Sequence, residues 1–244
     1  DTRWRHNLPI KIEAMPSDLF ALFATFGDTA SQYQMTASSS QLKEFTETLE
    51  SEAGVYQTQV TADAIKRLSE YYVLLTKWNP RMHLVAPCSP REFAIRHVLE
   101  SLMLLPHLPR AAKVADVGSG AGLPIIPCLL ARSDITATLI ESSKKKAVFL
   151  REALNRAEMS QSATVIAERF EEIPAPEADF ITCRALDRFE AKLPTLLKWS
   201  PPASILLFFG GEGLRDQIMN LDLSFTEIQI PNSKRRFVFV IRGK

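Results

Sequence analysis

Cysteine is scarce in this chain: Cys88, Cys128 and Cys183 stand far apart among 244 residues. An odd set with no metal-ligand spacing excludes a disulfide framework and a cysteine-based metal site, and it suits a reducing cytosol. An excess of one charge is also missing. Lys and Arg number 29 against 28 Asp and Glu, a formal +1, so any grip on nucleic acid must come from a local patch. No apolar run approaches the ~20 residues that span a bilayer. No repeat, low-complexity tract, Ser–His–Asp set or pair of catalytic carboxylates is apparent. What is present is the length and apolar content (46%) of one α/β domain with a small appendage.

Residues 1–40 show no sustained period and close on the small-polar run from Met35 to Ser40. Leu19–Phe26 is apolar but short, and four acidic residues before Met35 argue against a transit peptide. The expectation is a loosely ordered or short helical extension, with Met35 as a natural start. Residues 41–110 read as a helical segment packed on the main domain. Ile65, Leu68, Tyr72 and Leu75 repeat at three and four residues and build one apolar face. Asn79-Pro80 is expected to close that helix, because proline pushes the residue before it out of the α region. Ser89-Pro90-Arg91-Glu92 reads as a capping box. The helix it opens carries Phe93, His97, Leu102 and Leu105 and stops at Pro106.

Residues 111–244 alternate. Apolar runs at 113–117, 136–140, 163–167, 179–183 and 203–209 read as strands, with helices beginning near Leu123, Lys144 and Arg188. Such alternation builds a parallel sheet covered on both faces. Two more β-rich runs, 224–230 and 236–242, are joined through Pro231 to Lys234 as an antiparallel hairpin.

The densest signal is the run Val114-Ala-Asp116-Val-Gly118-Ser-Gly120-Ala-Gly122-Leu123-Pro124. A strand ends in an acid, glycines alternate with small residues, and a helix start offers unpaired N–H groups to an anionic ligand. The dinucleotide fingerprint G-x-G-x-x-G would put its third glycine where Leu123 stands. The run is instead D-x-G-x-G-x-G, the variant carried by S-adenosylmethionine-dependent methyltransferases of the Rossmann-like class. Glu141 follows the next strand, at the ~20-residue distance where an acid meets a ribose hydroxyl. The expected fold is therefore α/β: a class I, Rossmann-like, mostly parallel seven-stranded sheet with a terminal antiparallel hairpin, plus N-terminal helices. Leu123 and the hairpin disfavour an NAD oxidoreductase.

Ligands of open α/β sheets sit beyond the carboxyl ends of the strands. Gly118, Gly120, Gly122, Leu123, Glu141, Phe170, Glu171 and Arg184 are thus the candidate cofactor contacts. Asp116 either orients the ligand or caps the loop. Arg184, a cation ending an apolar strand, needs a partner or water. It and His97, otherwise a core histidine on an apolar helix face, are the catalytic candidates. Cys183 reads as packing, and no metal ligands are expected. Lys144, Lys145 and Lys146 open a helix, where positive charge opposes the dipole and a phosphate-rich partner offsets it. With Arg96 and Arg235 they are the candidate RNA contacts.

The chain resembles the bacterial small-subunit (16S) ribosomal RNA guanine-N7 methyltransferases, also called the glucose-inhibited division protein B family, from about Tyr71 onward. The carriers are Leu74 to Asn79, Arg96 to Leu102, Asp116 to Pro124, Glu141-Ser142 with Lys145-Lys146 and Phe149-Leu150, and Arg184-Ala185. The resemblance implies methyl transfer from S-adenosylmethionine to N7 of a guanine in 16S rRNA. It places cofactor contacts on Gly118, Leu123, Phe170-Glu171 and Arg184. It also implies a monomeric cytosolic enzyme acting on the small ribosomal subunit or an assembly intermediate. A protein or small-molecule acceptor, or a non-catalytic relative that binds RNA, remain alternatives. The chain departs from the family's pattern at Ile125 (usually Gly), His83-Leu84-Val85 (usually Asn-Leu-Thr) and Gly210-Gly211 (usually Lys-Gly).

Overall fold

The computed structural model describes residues 37–242. Of the extension expected over 1–40, residues 1–36, Met35 among them, lie outside the described residues; Ser38 to Ser40 belong instead to the start of the first helix, because Ser38 caps it. α1, Ser39–Glu52, begins behind a reciprocal cap. The Ser38 hydroxyl accepts the Gln41 N–H at 3.2 Å, and the Gln41 side chain accepts the Ser38 N–H at 2.8 Å. α2, Ala62–Met82, starts at Thr61, whose hydroxyl accepts from Ala64 N–H. It outruns the stop expected at Asn79-Pro80. Proline removes only its own N–H from the ladder, while His83, left-handed at φ 48°, still donates its N–H to Asn79 O at 2.9 Å.

The next helix departs further from expectation. Ser89 Oγ accepts from Glu92 N–H at 3.0 Å, but the Glu92 carboxylate pairs with Arg96 at 2.7 Å, one turn on, and the box stays half made. α3, Pro90–Phe93, widens into a π turn, Ala94–Leu99, and regains α geometry as α4, Glu100–Leu102. It ends there rather than at Pro106, which lies in a separate 3-10 turn, Leu105–His107.

Seven strands then form one sheet: β1 Lys113–Val117, β2 Thr136–Ile140, β3 Ala163–Ile166, β4 Phe180–Arg184, β5 Ile205–Gly210, β6 Phe225–Gln229 and β7 Phe237–Arg242. Their order is β3-β2-β1-β4-β5-β7-β6. β1 to β5 are parallel, and β7 runs antiparallel between β5 and β6. The connecting helices are α5 Ile125–Ala131, α6 Lys144–Arg156, α7 Phe189–Trp199 and α8 Glu212–Asn220. α8 is absent from the sequence reading, because its buried stripe is only Leu214 and Ile218. The expected seven-stranded, mostly parallel Rossmann-like sheet is thus present, with strand limits shifted by a residue or two. Strand order reverses between β1 and β4, so the ligand crevice of such sheets lies there.

The pleat decides which side chains share that crevice. Val114 and Phe180 join a core with α1, α2, α3, α5 and α6. Ala115, Val117, Ile181 and Cys183 join a second core with α7 and α8. By the same alternation Asp116, Thr182 and Arg184 belong to the first side, toward the helical segment. That segment is held by aromatic packing: Phe45 of α1 stacks on Tyr72 of α2 at 4.5 Å, with Phe93 beside both. Phe45 is fully buried. Phe45→Ala is expected to lower stability by about 3–5 kcal/mol, through lost burial and the void left behind. Urea unfolding of both proteins measures this directly.

Candidate active site

A cavity of about 570 Å³ opens at the carboxyl ends of β1 to β4. The glycine loop, Glu141, Phe170 and Glu171 line it, together with Leu84-Val85-Ala86, His97 and Arg184. The loop is tied to the second strand, since Gly118 and Ser119 donate their N–H groups to Ile140 O at 2.9 and 3.2 Å. Gly118 sits at φ +73°, and a Cβ there would come within 2.8 Å of Leu186 Cδ1. Gly122 sits at φ +86°, against the side chain of Ile126. Both conditions demand glycine.

Glu141, buried, anchors the loop from the end of β2. Its oxygens accept the Gly120 N–H at 2.8 Å and the Ser143 N–H at 2.7 Å. A carboxylate has about four acceptor positions, so capacity remains for two further donors. The helical segment reaches the loop as well: the buried Tyr71 hydroxyl donates to Ala121 O at 2.6 Å. Asn79 holds Val85, which lines the cavity, its amide donating to Val85 O at 3.0 Å and its carbonyl accepting Val85 N–H at 2.9 Å. Trp78 meets Phe149 of α6 edge-on, with ring centres 6.0 Å apart. Asn79 therefore props a lining residue, while Trp78 packs the helical segment onto α6.

Asp116 is fully buried at the reversal point. One carboxylate oxygen accepts the Thr182 hydroxyl at 2.7 Å, joining β1 to β4; the other, Oδ2, has no partner. Burial pushes its carboxyl up to about 7, against the pull of the Thr182 hydroxyl.

Arg184 ends β4 beside a third buried carboxylate, one that sequence reasoning missed. Glu100, 1% exposed, accepts Arg236 Nη1 on both oxygens at 2.6 and 2.8 Å, and Arg184 Nη2 at 3.3 Å. Arg184 Nη2 also donates to Arg96 O at 2.6 Å, and its guanidinium lies over the Phe209 ring at 5.2 Å. Burial raises the Glu100 carboxyl, and the two guanidiniums oppose that shift. The available signal was an acid inside the apolar run 93–102, a place where a carboxylate must find cations.

His97 stands on the π turn at the cavity edge, with Phe93 at 5.1 Å between ring centres. Burial, then Arg184, Arg96 and Arg236, bring its imidazole down to about 3, so it is neutral. Phe170 is buried against Trp199, and Glu171 lies between Arg169 and Lys192 at 3.5 and 3.6 Å. Cys183 points to the other layer, and burial drives its thiol well up. Among the five candidate RNA contacts, Lys146 lines the cavity and Lys144 and Lys145 are exposed beside it. Arg96 pairs with Glu92, and Arg235 with Glu212 at 3.0 Å. Among the described residues no His, Cys, Asp and Glu side chains gather as a metal site, and no helix is long and apolar enough to cross a membrane.

The family model described as rRNA small subunit methyltransferase G matches residues 64–238, a span holding the loop, Glu141, His97, Glu100, Arg184 and Arg236. The chain belongs to this family. "Ribosomal RNA small subunit methyltransferase G" of Xanthomonas axonopodis pv. citri is 34% identical over 200 residues, covering 79% of this chain and 93% of the relative. The protein of that name from Rhodospirillum centenum is 37% identical over 169 residues, covering 68% and 76%. The crystal structure of the B. subtilis M1A22 tRNA methyltransferase TrmK matches at TM-score 0.49 and 15% identity, covering 59% of this chain and 65% of that one. Within the family span, β5 of this chain ends on Gly210 and is followed by Gly211, and the Arg235 backbone oxygen lies 3.1 Å from where a Gly211 Cβ would stand.

The Asp116 carboxyl gives a pH signature. Its folded value lies above the ordinary 3.8, so folding takes up a proton between 3.8 and about 7. The resulting stability is full below pH 3.8 and is lost as pH rises through about 7. Asp116→Asn cannot ionise. The stability of wild type minus that of Asp116→Asn is expected to fall by about 4 kcal/mol from low pH to pH 8. Urea unfolding at stepped pH reads this difference, and a flat curve would contradict the assignment.

Proposed function

We propose that this chain moves a methyl group from S-adenosylmethionine to N7 of a guanine in small-subunit ribosomal RNA. One observation carries the reading: within the span the family model matches, the Glu141-anchored glycine loop, Arg184 and His97 line one cavity. The donor suits these residues. The cavity falls in the range of small-molecule sites, about 300–1,000 Å³. Glu141 keeps acceptor positions for ribose hydroxyls, and Gly118 brings backbone, not side chain, to the ligand. When bound, the donor supplies a methyl on a positively charged sulfur: the N7 lone pair forms the new C–N bond, and the S–C pair stays on sulfur.

The protein's part is placement. Guanine N7 carries a free lone pair, so no side chain needs to remove a proton before attack, and in-line positioning supplies the acceleration. Arg184, fixed by Arg96 O and Glu100, offers one rigid cationic wall. Lys144, Lys145 and Lys146 meet phosphates at the cavity mouth, contacts that set register rather than sequence. The acceptor is 16S rRNA in the small subunit or an assembly intermediate, met by a monomer in the cytosol.

The test maps 7-methylguanine along small-subunit rRNA from cells with and without the protein; one modified position is expected to vanish without it. Identical maps would overturn the reading. On purified protein, Glu141→Ala is expected to weaken S-adenosylhomocysteine binding about 100-fold by calorimetry, the scale of lost charge-assisted hydrogen bonds.

A further inference from the structure

Two nitrogen-bearing features of the cavity have no task in the transfer as described: the His97 ring and the backbone of Leu84-Val85-Ala86. His97 Nδ1 is buried with no hydrogen-bond partner, while the residue lines the cavity. The open side of the ring is therefore the Nε2 side. A histidine tautomer is ordinarily fixed by the bond its other nitrogen makes. Among the described residues nothing bonds Nδ1 to fix the tautomer of His97, so a donor arriving on the cavity side can draw the lone pair to Nε2.

We propose that His97 reads the Watson–Crick edge of the acceptor guanine by accepting a hydrogen bond from it, in a base pocket walled by Leu84-Val85-Ala86. The inference rests on the function proposed above and names the residue that selects the base. Guanine presents N1–H and its 2-amino group on that edge, both donors, and an imidazole can accept from them only while neutral. Adenine presents a bare N1 at the centre of that edge, and its one donor there, the 6-amino group, takes the position of guanine O6. Holding guanine by this edge leaves N7, on the opposite side of the purine, clear for the incoming methyl.

The surroundings favour the same state. Three guanidiniums bear on the ring: Arg96 from its own π turn, Arg184 from β4 and Arg236 from the start of β7, with the Glu100 carboxylate between the last two. An imidazolium would add to that positive cluster and would also oppose the charge that develops on the purine as N7 is alkylated. Phe93 packs against the ring at 5.1 Å, and Asn79 clamps Val85 through both of its backbone groups. Both walls of the pocket are thus fixed before a base arrives.

The experiment uses the full chain and small subunits isolated from cells lacking it, with methyl transfer followed from labelled donor and located at guanine N7. His97→Phe keeps bulk and planarity but has no lone pair; His97→Gln keeps a neutral acceptor. His97→Phe is expected to lower kcat/KM for subunits at least 30-fold, with S-adenosylhomocysteine affinity within twofold of wild type. His97→Gln is expected to recover most of that loss. Wild-type rates in His97→Phe would overturn the inference, as would equal losses in both variants or a parallel loss of S-adenosylhomocysteine binding. A wild-type protein that modifies no guanine N7 would sink the proposed function, and the base pocket with it.

Discussion

A carboxylate taken out of water must be met by cations, and Glu100 is met by two. Its oxygens engage Arg236 and Arg184, drawing together the helical segment, the end of β4 and the beginning of β7. Such a cluster is weak evidence for net stability, because desolvation offsets most of the attraction. Its effect is geometric. Removing Glu100 would strand the buried Arg184 charge, so the arginine at the cavity edge is held to one position. Burial, with the arginines adding to it, keeps the neighbouring imidazole neutral.

The pleat of the sheet supplies the second constraint. Because neighbours along β4 face opposite layers, Thr182 and Arg184 turn toward the helical segment while Cys183 turns away. The helical segment is more than a cover. Tyr71 grips the glycine loop, Asn79 props Val85 in the cavity lining, and the π turn carries His97. A π turn inserted in an α-helix often marks a functional site, and here it places a ring and a carbonyl, those of His97 and Arg96, next to Arg184.

The sheet and its ligand loop were legible because their signals are local. Three alternating glycines after an apolar strand, and an acid at the end of the next, need no long-range information to be understood. The hairpin followed from two β-rich runs and a turn. Pro80 misled because the rule for the preceding residue says nothing about bonds two and three residues later. The π turn left no mark in the apolar spacing, since one extra residue per turn looks like scatter in a helix-period pattern. Glu100 and Arg236 lie 136 residues apart, and no periodicity links residues so distant. What could be read was the oddity of an acid in an apolar run; its partners required the fold.

The placement of Arg236 has a consequence for how the molecule is made. On a ribosome adding about 5–20 residues per second, the carboxylate emerges roughly 7–27 s ahead of this cation, the chemical stretch between them being 136 residues. By the end of that interval the nascent chain holds β1 to β6 without the strand that must slot between β5 and β6. Pairings across so long a loop are entropically slow to close. The ion cluster on Glu100, beside the crevice, is therefore completed last, by the part of the sheet synthesised last. A prematurely terminated polypeptide would carry the whole glycine fingerprint and every residue that lines the cavity, and still leave Glu100 without Arg236.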